Sequence, residues 1–415
     1  MSKAVFLGTP CYGHIEVTLG LVHELVKLGE QLLYYNNSSF QSLIEKTGCT
    51  FRDYRVDYGE LGKLQSVKTA QKRSRGLDNL VGMIDLSIEE NEAMYANIVQ
   101  EIRDEKPDYI LYDTFRYIGK RIADELDIPA VSTIPIFVYN KKFSYYYPEL
   151  YLSKILRLDR DELGCNKNPR KILYLLYRHI ENHINQKFGL SDFDLYDTIN
   201  CLSDYNIIFT SSLLLRDQEI YDERFMIAGC CLDYREGTEV KATGLRPCIL
   251  ISLGTTYVNQ QKAFYRKCLE AFGTLDMDIY MNIGSNIQPD ELGHVPPNFI
   301  LSSMLPQLSL LSKACLFITH GGANSTREAL YYGVPMLIYP IDGDQFDVAD
   351  RIVQLQCGEQ YRPDSSSEQL YQQAMDVMEN QTYSQNCFRM KQNLQQNGGC
   401  RIAAEAILKK IRRST

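Results

Sequence analysis

Two histidines, far apart in the chain, stand in settings where an imidazole can do chemistry. His320 lies in the run Phe317-Ile318-Thr319-His320-Gly321-Gly322-Ala323-Asn324-Ser325-Thr326-Arg327-Glu328. A short apolar strand breaks there at a His-Gly-Gly turn and restarts as a helix, which Gly333 stops with Pro335 beyond it. Glycines let backbone approach a phosphate, and the N–H groups of a first helical turn point at it, so the pattern predicts an anion site. Residues 336–340 supply the next strand, and Asp342-Gly343-Asp344-Gln345 at its end add groups suited to sugar hydroxyls. Ser325 to Glu328 also reads as a capping box, with Glu328 bonding the cap backbone. That explains those two residues without any ligand, but not His320, the paired glycines or Asn324.

His14 follows Tyr12-Gly13 at the start of an amphipathic helical pattern, after the strand Ala4–Leu7 and the turn Gly8-Thr9-Pro10. The positive end of a helix dipole favours the neutral ring that a general base needs. Asp113 ends the apolar run 109–112 on a neighbouring strand, where it can bond the other ring nitrogen and hold the tautomer. Gly8 to His14 superficially spells a phosphate loop, but His14 and Ile15 stand where Lys and Ser/Thr are required. The triplets Asp159/Asp161, Asp192/Asp194, Asp276/Asp278 and Asp342/Asp344 are what an acidic chain produces by chance. His179 and His183 sit one helical turn apart without a third ligand. No metal is assigned to either.

The elements that must position these residues alternate as βαβαβ: a strand at 31–35, a helix at 76–105, Tyr109 to Asp113, a helix at 118–125 and a strand at 128–132. This is the pattern of a doubly wound sheet, whose ligands bind beyond the carboxyl ends of the strands. Residues 60–75 are polar and basic and read as a surface loop. Residues 140–200 break the rhythm with Phe143, Tyr145, Tyr146, Tyr147, Tyr151, Tyr174 and Tyr177, either the core of a helical excursion or the lining of an apolar pocket. At 415 residues the chain suits two domains. The first spans 1–231, a polar aperiodic linker 232–246, and the second 247–395, with strands at 249–253, 277–283 and 299–302 and helices at 260–273 and 306–313. Residues 396–415 form a terminal helix packing back on the first domain, with Lys409, Lys410, Arg412 and Arg413 at its end.

A net charge of −8 argues against nucleic acid as partner. No apolar run approaches the ~20 residues of a membrane span, and stable membrane insertion is not expected. The 12 cysteines show no CxxC pair, so a reduced cytoplasmic setting fits, with most thiols serving as small core residues.

Taken together, these residues resemble the GT-B glycosyltransferases of family 1, in particular the bacterial macrolide-modifying branch of the UDP-glycosyltransferases. The matching pieces are Leu305-Pro306-Gln307, Thr319 to Glu328, Tyr332-Gly333-Val334-Pro335, Gly343-Asp344-Gln345, Gly13-His14-Ile15 and Pro107-Asp108 to Asp113. The resemblance implies an α/β fold of two Rossmann-like doubly wound domains facing across a cleft, and an inverting, metal-independent hexosyl transfer. His14 would deprotonate an acceptor hydroxyl with Asp113 as partner. His320, Gly322, Ala323, Asn324 and Ser325 would hold the pyrophosphate, with Ser252, Gly254 and Thr255 lining its side. Glu328 would take the ribose hydroxyls, Met304, Leu305 and Gln307 would meet the base and ribose, and Asp344 and Gln345 the sugar. Tyr12, Tyr145 and Tyr146 are the acceptor-binding candidates. No cofactor is implied beyond a UDP-sugar co-substrate, UDP-glucose by the resemblance, with a hydrophobic hydroxylated acceptor and a monomer or dimer as the assembly. Two departures stand out: Met304 occupies a place where many relatives stack uracil on tryptophan, and Glu16-Val17 replace the usual Asn-Pro after Gly-His-Ile. The alternatives are a lipid-directed transferase using the basic terminal helix at a membrane, and a non-catalytic nucleotide-sugar-binding protein.

Overall fold

Along the first strand, β1 (Lys3–Leu7), Ala4 and Phe6 belong to one buried cluster and Val5 and Leu7 to another. Successive strand side chains point to opposite faces, and a parallel sheet is covered on both, so the run is apolar throughout. The computed structural model describes residues 2–56, 76–135, 137–158, 168–190, 193–216, 218–232, 246–254, 261–341, 343–396 and 398–414. The expected loop at 60–75 and nearly all of the expected linker lie outside the described residues. The chain divides into two compact units. One comprises Met1–Phe209, Asp217–Tyr234 and Gly398–Thr415, and the other Thr210–Arg216 and Arg235–Asn397.

The first unit is a seven-stranded sheet in the order β3-β2-β1-β4-β5-β6-β7. Its other strands are β2 (Gln31–Asn36), β3 (Thr50–Asp53), β4 (Tyr109–Asp113), β5 (Ala130–Ile134), β6 (Asn206–Ile208) and β7 (Phe225–Ile227), and every pairing is parallel. One face carries α1 (Tyr12–Lys27), and the other carries α2 (Leu77–Glu105) and α3 (Ile118–Leu126). The helix Gly399–Ser414 lies against α1, burying Ala403, Ala404, Ile407, Leu408 and Ile411 in the same core. Its apolar stripe is therefore inside the unit, and the outer face is Arg401, Glu405, Lys409, Lys410 and Arg412 beside an exposed Ile402. Among the described residues no helix is long and apolar enough to cross a membrane.

The aromatic excursion divides between core and surface, with Tyr145, Tyr146 and Tyr174 exposed. Phe143, Tyr151 and Tyr177 are buried, the hydroxyls of Tyr177 and Tyr151 are 2.6 Å apart, and Tyr177 stacks on Tyr196 at 4.5 Å. On α4 (Pro169–Phe188), His183 bonds Asp85 at 2.9 Å, and Lys187 bonds Asp85 and Glu89. The histidine pair considered for a metal thus includes a member of an ion-pair network, and no group of metal-ligating side chains occurs among the described residues. Cys231 and Cys400 form a disulfide that ties the Asp217–Tyr234 segment to the terminal helix, a pairing the sequence did not suggest, while Cys49, Cys201, Cys230, Cys248, Cys268, Cys357 and Cys387 lie buried outside any disulfide, as expected of small core residues.

The second unit repeats the plan with six parallel strands in the order β10-β9-β8-β11-β12-β13. These are β8 (Cys248–Ser252), β9 (Asp278–Asn282), β10 (Phe299–Ser302), β11 (Ala314–Thr319), β12 (Met336–Ile338) and β13 (Gly358–Gln360). Its helices include α5 (Lys262–Phe272), α6 (Gln307–Leu311), α7 (Ala323–Tyr332) and α8 (Gln345–Gln354). Thr210–Arg216 belongs to this unit through Arg216, whose guanidinium is paired with buried Asp347 of α8, and through Arg351, which donates to the carbonyls of Leu213, Leu214 and Leu215.

Candidate functional site

In both sheets the strand order reverses beside the first strand, between β1 and β4 and between β8 and β11. Such a switch point opens a crevice beyond the carboxyl ends of the two strands. His14 and Asp113 lie at that place in the first unit, and Ser252 and His320 in the second.

In the first unit Leu7 pairs with Tyr112, so the residues following them, Gly8 and Asp113, end adjacent strands. Gly8 is held on both sides: its N–H donates to the Tyr35 carbonyl, and the Tyr54 hydroxyl donates to its carbonyl. A Cβ there would come within 2.6 Å of the Tyr34 ring, which explains the glycine. The chain then turns through Thr9 and Pro10 into α1, where His14 is the third helical residue. His14 Nδ1 lies 2.7 Å from Asp113 Oδ2, and both side chains are almost wholly buried. The other carboxylate oxygen accepts from the Thr9 hydroxyl at 2.8 Å and from the Phe115 N–H at 3.0 Å, and the Phe115 ring packs 4.8 Å from the His14 ring. Burial alone would raise the Asp113 pKa. The charge and hydrogen bond of His14, with the Phe115 and Thr9 donors, outweigh it and hold the carboxyl below its usual value. Because an ionised carboxylate only accepts, the proton sits on Nδ1 and the lone pair on Nε2. Such an imidazole has the fixed tautomer that a general base requires.

Tyr12 begins α1 two residues before His14, half-exposed and edge-on to Phe40 at 5.1 Å. Tyr145 and Tyr146 lie on the surface of the helical excursion, where Arg170 stacks over Tyr145 and the Tyr146 hydroxyl donates to Glu219. Tyr145 thus contacts the excursion itself, whereas Tyr146 reaches Glu219 beyond it.

In the second unit Ser252 pairs with Thr319, and His320 follows. Gly321 turns the chain at φ +83°, where a side chain is strained. Gly322 is the N-cap of α7, which therefore starts at Ala323. This overturns the capping-box reading: Ser325 and Glu328 lie inside the helix, buried, not at its cap. Glu328 instead accepts from the Gln307 amide at 2.6 Å, and the same amide donates to Ser325 at 3.2 Å. Three residues assigned to nucleotide binding are thus joined by hydrogen bonds, with a buried carboxylate among them that helix capping does not account for. The His320 ring is seated between two glycines. A Cβ on Gly254 would be 2.6 Å from its Cε1, and one on Gly322 2.4 Å from its Nε2. Burial pushes the His320 pKa down to about 4, against a smaller upward pull from a hydrogen bond with the Ser252 backbone. At neutral pH the ring is therefore uncharged, with its one N–H given to the Ser252 backbone, and an anion beside it meets the N–H groups that a helix start presents. Arg327 donates to Asn324 Oδ1 within the first turn of α7.

Asp344 immediately precedes α8, and Gln345 begins it; the Gln345 carboxamide accepts the Ile341 N–H at 2.8 Å. Met304 is 84% exposed on a turn whose backbone bonds the Ser302 hydroxyl, so it has an open face rather than a packed one. Leu305 is half-buried beside it. Thr255 lies outside the described residues. Sequence reasoning missed Thr9, Phe115 and the Arg216–Asp347 pair. Of these only Thr9, a hydroxyl in the same strand-end turn as Gly8, carried a readable signal.

Comparison with known proteins places this geometry in context. Residues 266–404 match the model of the erythromycin biosynthesis protein CIII-like C-terminal domain. The chain is 28% identical over 419 residues to YojK, an uncharacterized UDP-glucosyltransferase of Bacillus subtilis (strain 168), covering 100% of this chain and 99% of that one. It is 27% identical to the oleandomycin glycosyltransferase of Streptomyces antibioticus, covering 95% and 88%. Among solved structures, the calicheamicin glycosyltransferase CalG4 superposes with a TM-score of 0.79 at 23% identity, covering 100% and 99%. The glycosyltransferase VinC in complex with dTDP does so at 0.70 and 16%, covering 99% and 100%. Residues 266–404 are thus similar to the EryCIII-like C-terminal domain, and the chain has the α/β GT-B fold of these glycosyltransferases.

Proposed function

We propose that the protein is an inverting glycosyltransferase of the family 1 type, moving a hexosyl group from a nucleoside diphosphate sugar, UDP-glucose first among them, to a hydroxyl of a hydrophobic small molecule. The observation that carries this reading is the buried His14–Asp113 pair at the switch point of the first sheet. A non-catalytic sugar-nucleotide sensor has no use for a base whose tautomer is fixed by an ionised carboxylate. The whole-length likeness to a UDP-glucosyltransferase and an oleandomycin glycosyltransferase supports the same class.

The chemistry follows from the residues. His14 Nε2 takes the proton of the acceptor O–H, and the freed oxygen pair forms a bond to the anomeric carbon. The anomeric C–O bond to the diphosphate breaks on the opposite side, so the configuration inverts and the electron pair leaves on the diphosphate. Asp113 stabilises the imidazolium formed, which then releases its proton to solvent. The start of α7, beside the neutral His320 ring, receives the developing diphosphate charge, and Gln307 with Glu328 hold the nucleoside. Asp344 and Gln345 take sugar hydroxyls. In this reading the transfer needs no metal or other cofactor.

The test is transfer itself. Purified protein is incubated with UDP-glucose, UDP-galactose and dTDP-glucose against phenols, sterols and macrolides, and products are read by mass spectrometry and anomeric NMR couplings. The proposal expects a β-glucoside from UDP-α-glucose. An α-linked product overturns the inverting mechanism, and donor binding without any transfer across the panel favours a sensor.

A further inference from the structure

The carboxylate of Asp113 has two oxygens, and a base assisted by only one of them requires the other to be fixed. Oδ2 faces His14, while Oδ1 accepts from the Thr9 hydroxyl and the Phe115 N–H. The Phe115 donor comes from the same strand end as Asp113 and moves with it. Thr9 is different, because it belongs to β1's turn, 104 residues away in sequence. That turn is rigid: Gly8 is anchored to Tyr35 and Tyr54, and Pro10 restricts Thr9 to extended backbone. Thr9 is 8% exposed and Asp113 1%, so water is a poor substitute for this donor.

We propose, on the basis of the His14–Asp113 reading above, that Thr9 is a positioning residue for proton transfer. Its hydroxyl locks the Asp113 carboxylate across the β1–β4 switch point, so that Oδ2 alone meets Nδ1 and His14 keeps its basic nitrogen at Nε2. Without the hydroxyl the carboxylate rotates, and the imidazole populates both tautomers, one of which is useless as a base toward the acceptor.

The experiment compares wild type, Thr9→Val, which keeps the shape and loses the donor, and Thr9→Ser, which restores it. Protein labelled with 15N-histidine is examined by NMR at neutral pH, the His14 signals being assigned by their loss in His14→Ala. Wild type and Thr9→Ser are expected to show a single Nδ1–H tautomer, and Thr9→Val a mixture. Transfer from UDP-glucose to 4-methylumbelliferone is expected to lose about 10- to 150-fold in kcat in Thr9→Val, the worth of one hydrogen bond to a charged group, with KM for UDP-glucose unchanged. Thr9→Ala replaces Thr9→Val if the valine variant does not fold. A wild-type tautomer in the donor-less variant overturns the proposal, as does equal impairment in Thr9→Ser. If instead His14→Ala itself turns over normally, the dyad reading fails, whatever Thr9 does.

Discussion

Replacing Glu328 with glutamine tests the nucleotide site at its most buried charge. Glu328 is 3% exposed, lies within α7 and holds the Gln307 amide at 2.6 Å. In the proposed complex its carboxylate accepts the ribose hydroxyls. Hydrogen bonds to a charged acceptor contribute about 1.5–3 kcal/mol, and Glu328→Gln removes the charge while keeping the shape, so UDP affinity should fall about 10- to 150-fold. Pyrophosphate would touch the His320 turn in that complex but has no ribose, and its affinity should stay within about two-fold. Calorimetric titration of both ligands into wild type and variant gives the comparison directly. Parallel losses for UDP and pyrophosphate would mean that the substitution has disturbed the whole turn. No loss for either would mean that Glu328 does not meet the ribose and serves only to hold Gln307, which glutamine can also do.

Other outcomes follow from the same geometry. His320 has a folded pKa near 4 against an ordinary 6.5, so below pH 6.5 the unfolded chain binds the extra proton and stability falls as pH drops from 6.5 towards 4. The contribution is about 2–3 kcal/mol, and a His320→Asn variant should lack that part of the pH dependence in urea unfolding; an identical pH profile contradicts the burial argument. Gly254→Ala sets a side chain at φ +73°, costing about 1–2 kcal/mol, and drives its Cβ into the His320 ring. It should weaken pyrophosphate binding as well as stability, and a variant binding as tightly as wild type would show that the ring moves freely. Replacing Cys231 and Cys400 by serine should cost the first unit about 2–4 kcal/mol of stability, because the bridge closes 169 residues of chain. Unchanged denaturant midpoints under oxidising conditions would show the bridge to be idle.

The two doubly wound sheets were legible because their central strands, such as Tyr109–Asp113 and Cys248–Ser252, are buried on both faces and read as unbroken apolar runs. The outer strands β3 and β13 were not. Thr50–Asp53 and Gly358–Gln360 are short and half polar, and β13 turns on a glycine whose Cβ would strike the Met336 backbone, a tertiary fact. The switch-point residues His14, Asp113 and His320 were readable because strand ends announce themselves by a change from apolar to polar or glycine. The helix restarting after the His-Gly-Gly turn was legible, but Ser325 to Glu328 satisfies a local capping rule that the fold does not use, because Gly322 takes the cap and Gln307, 21 residues upstream, claims Glu328. The tyrosines of residues 140–200 could not be sorted into core and surface by composition, since Tyr145 and Tyr177 differ only in which way their helices face.

The measurement closest to the central claim is single-turnover transfer by His14→Ala alongside its UDP affinity. With the His14–Asp113 pair as general base, the rate should fall by about 10²–10⁴, while the dissociation constant for UDP stays within a few-fold of wild type. A rate near that of wild type, with UDP binding intact, would contradict the account and leave the deprotonation of the acceptor to another group.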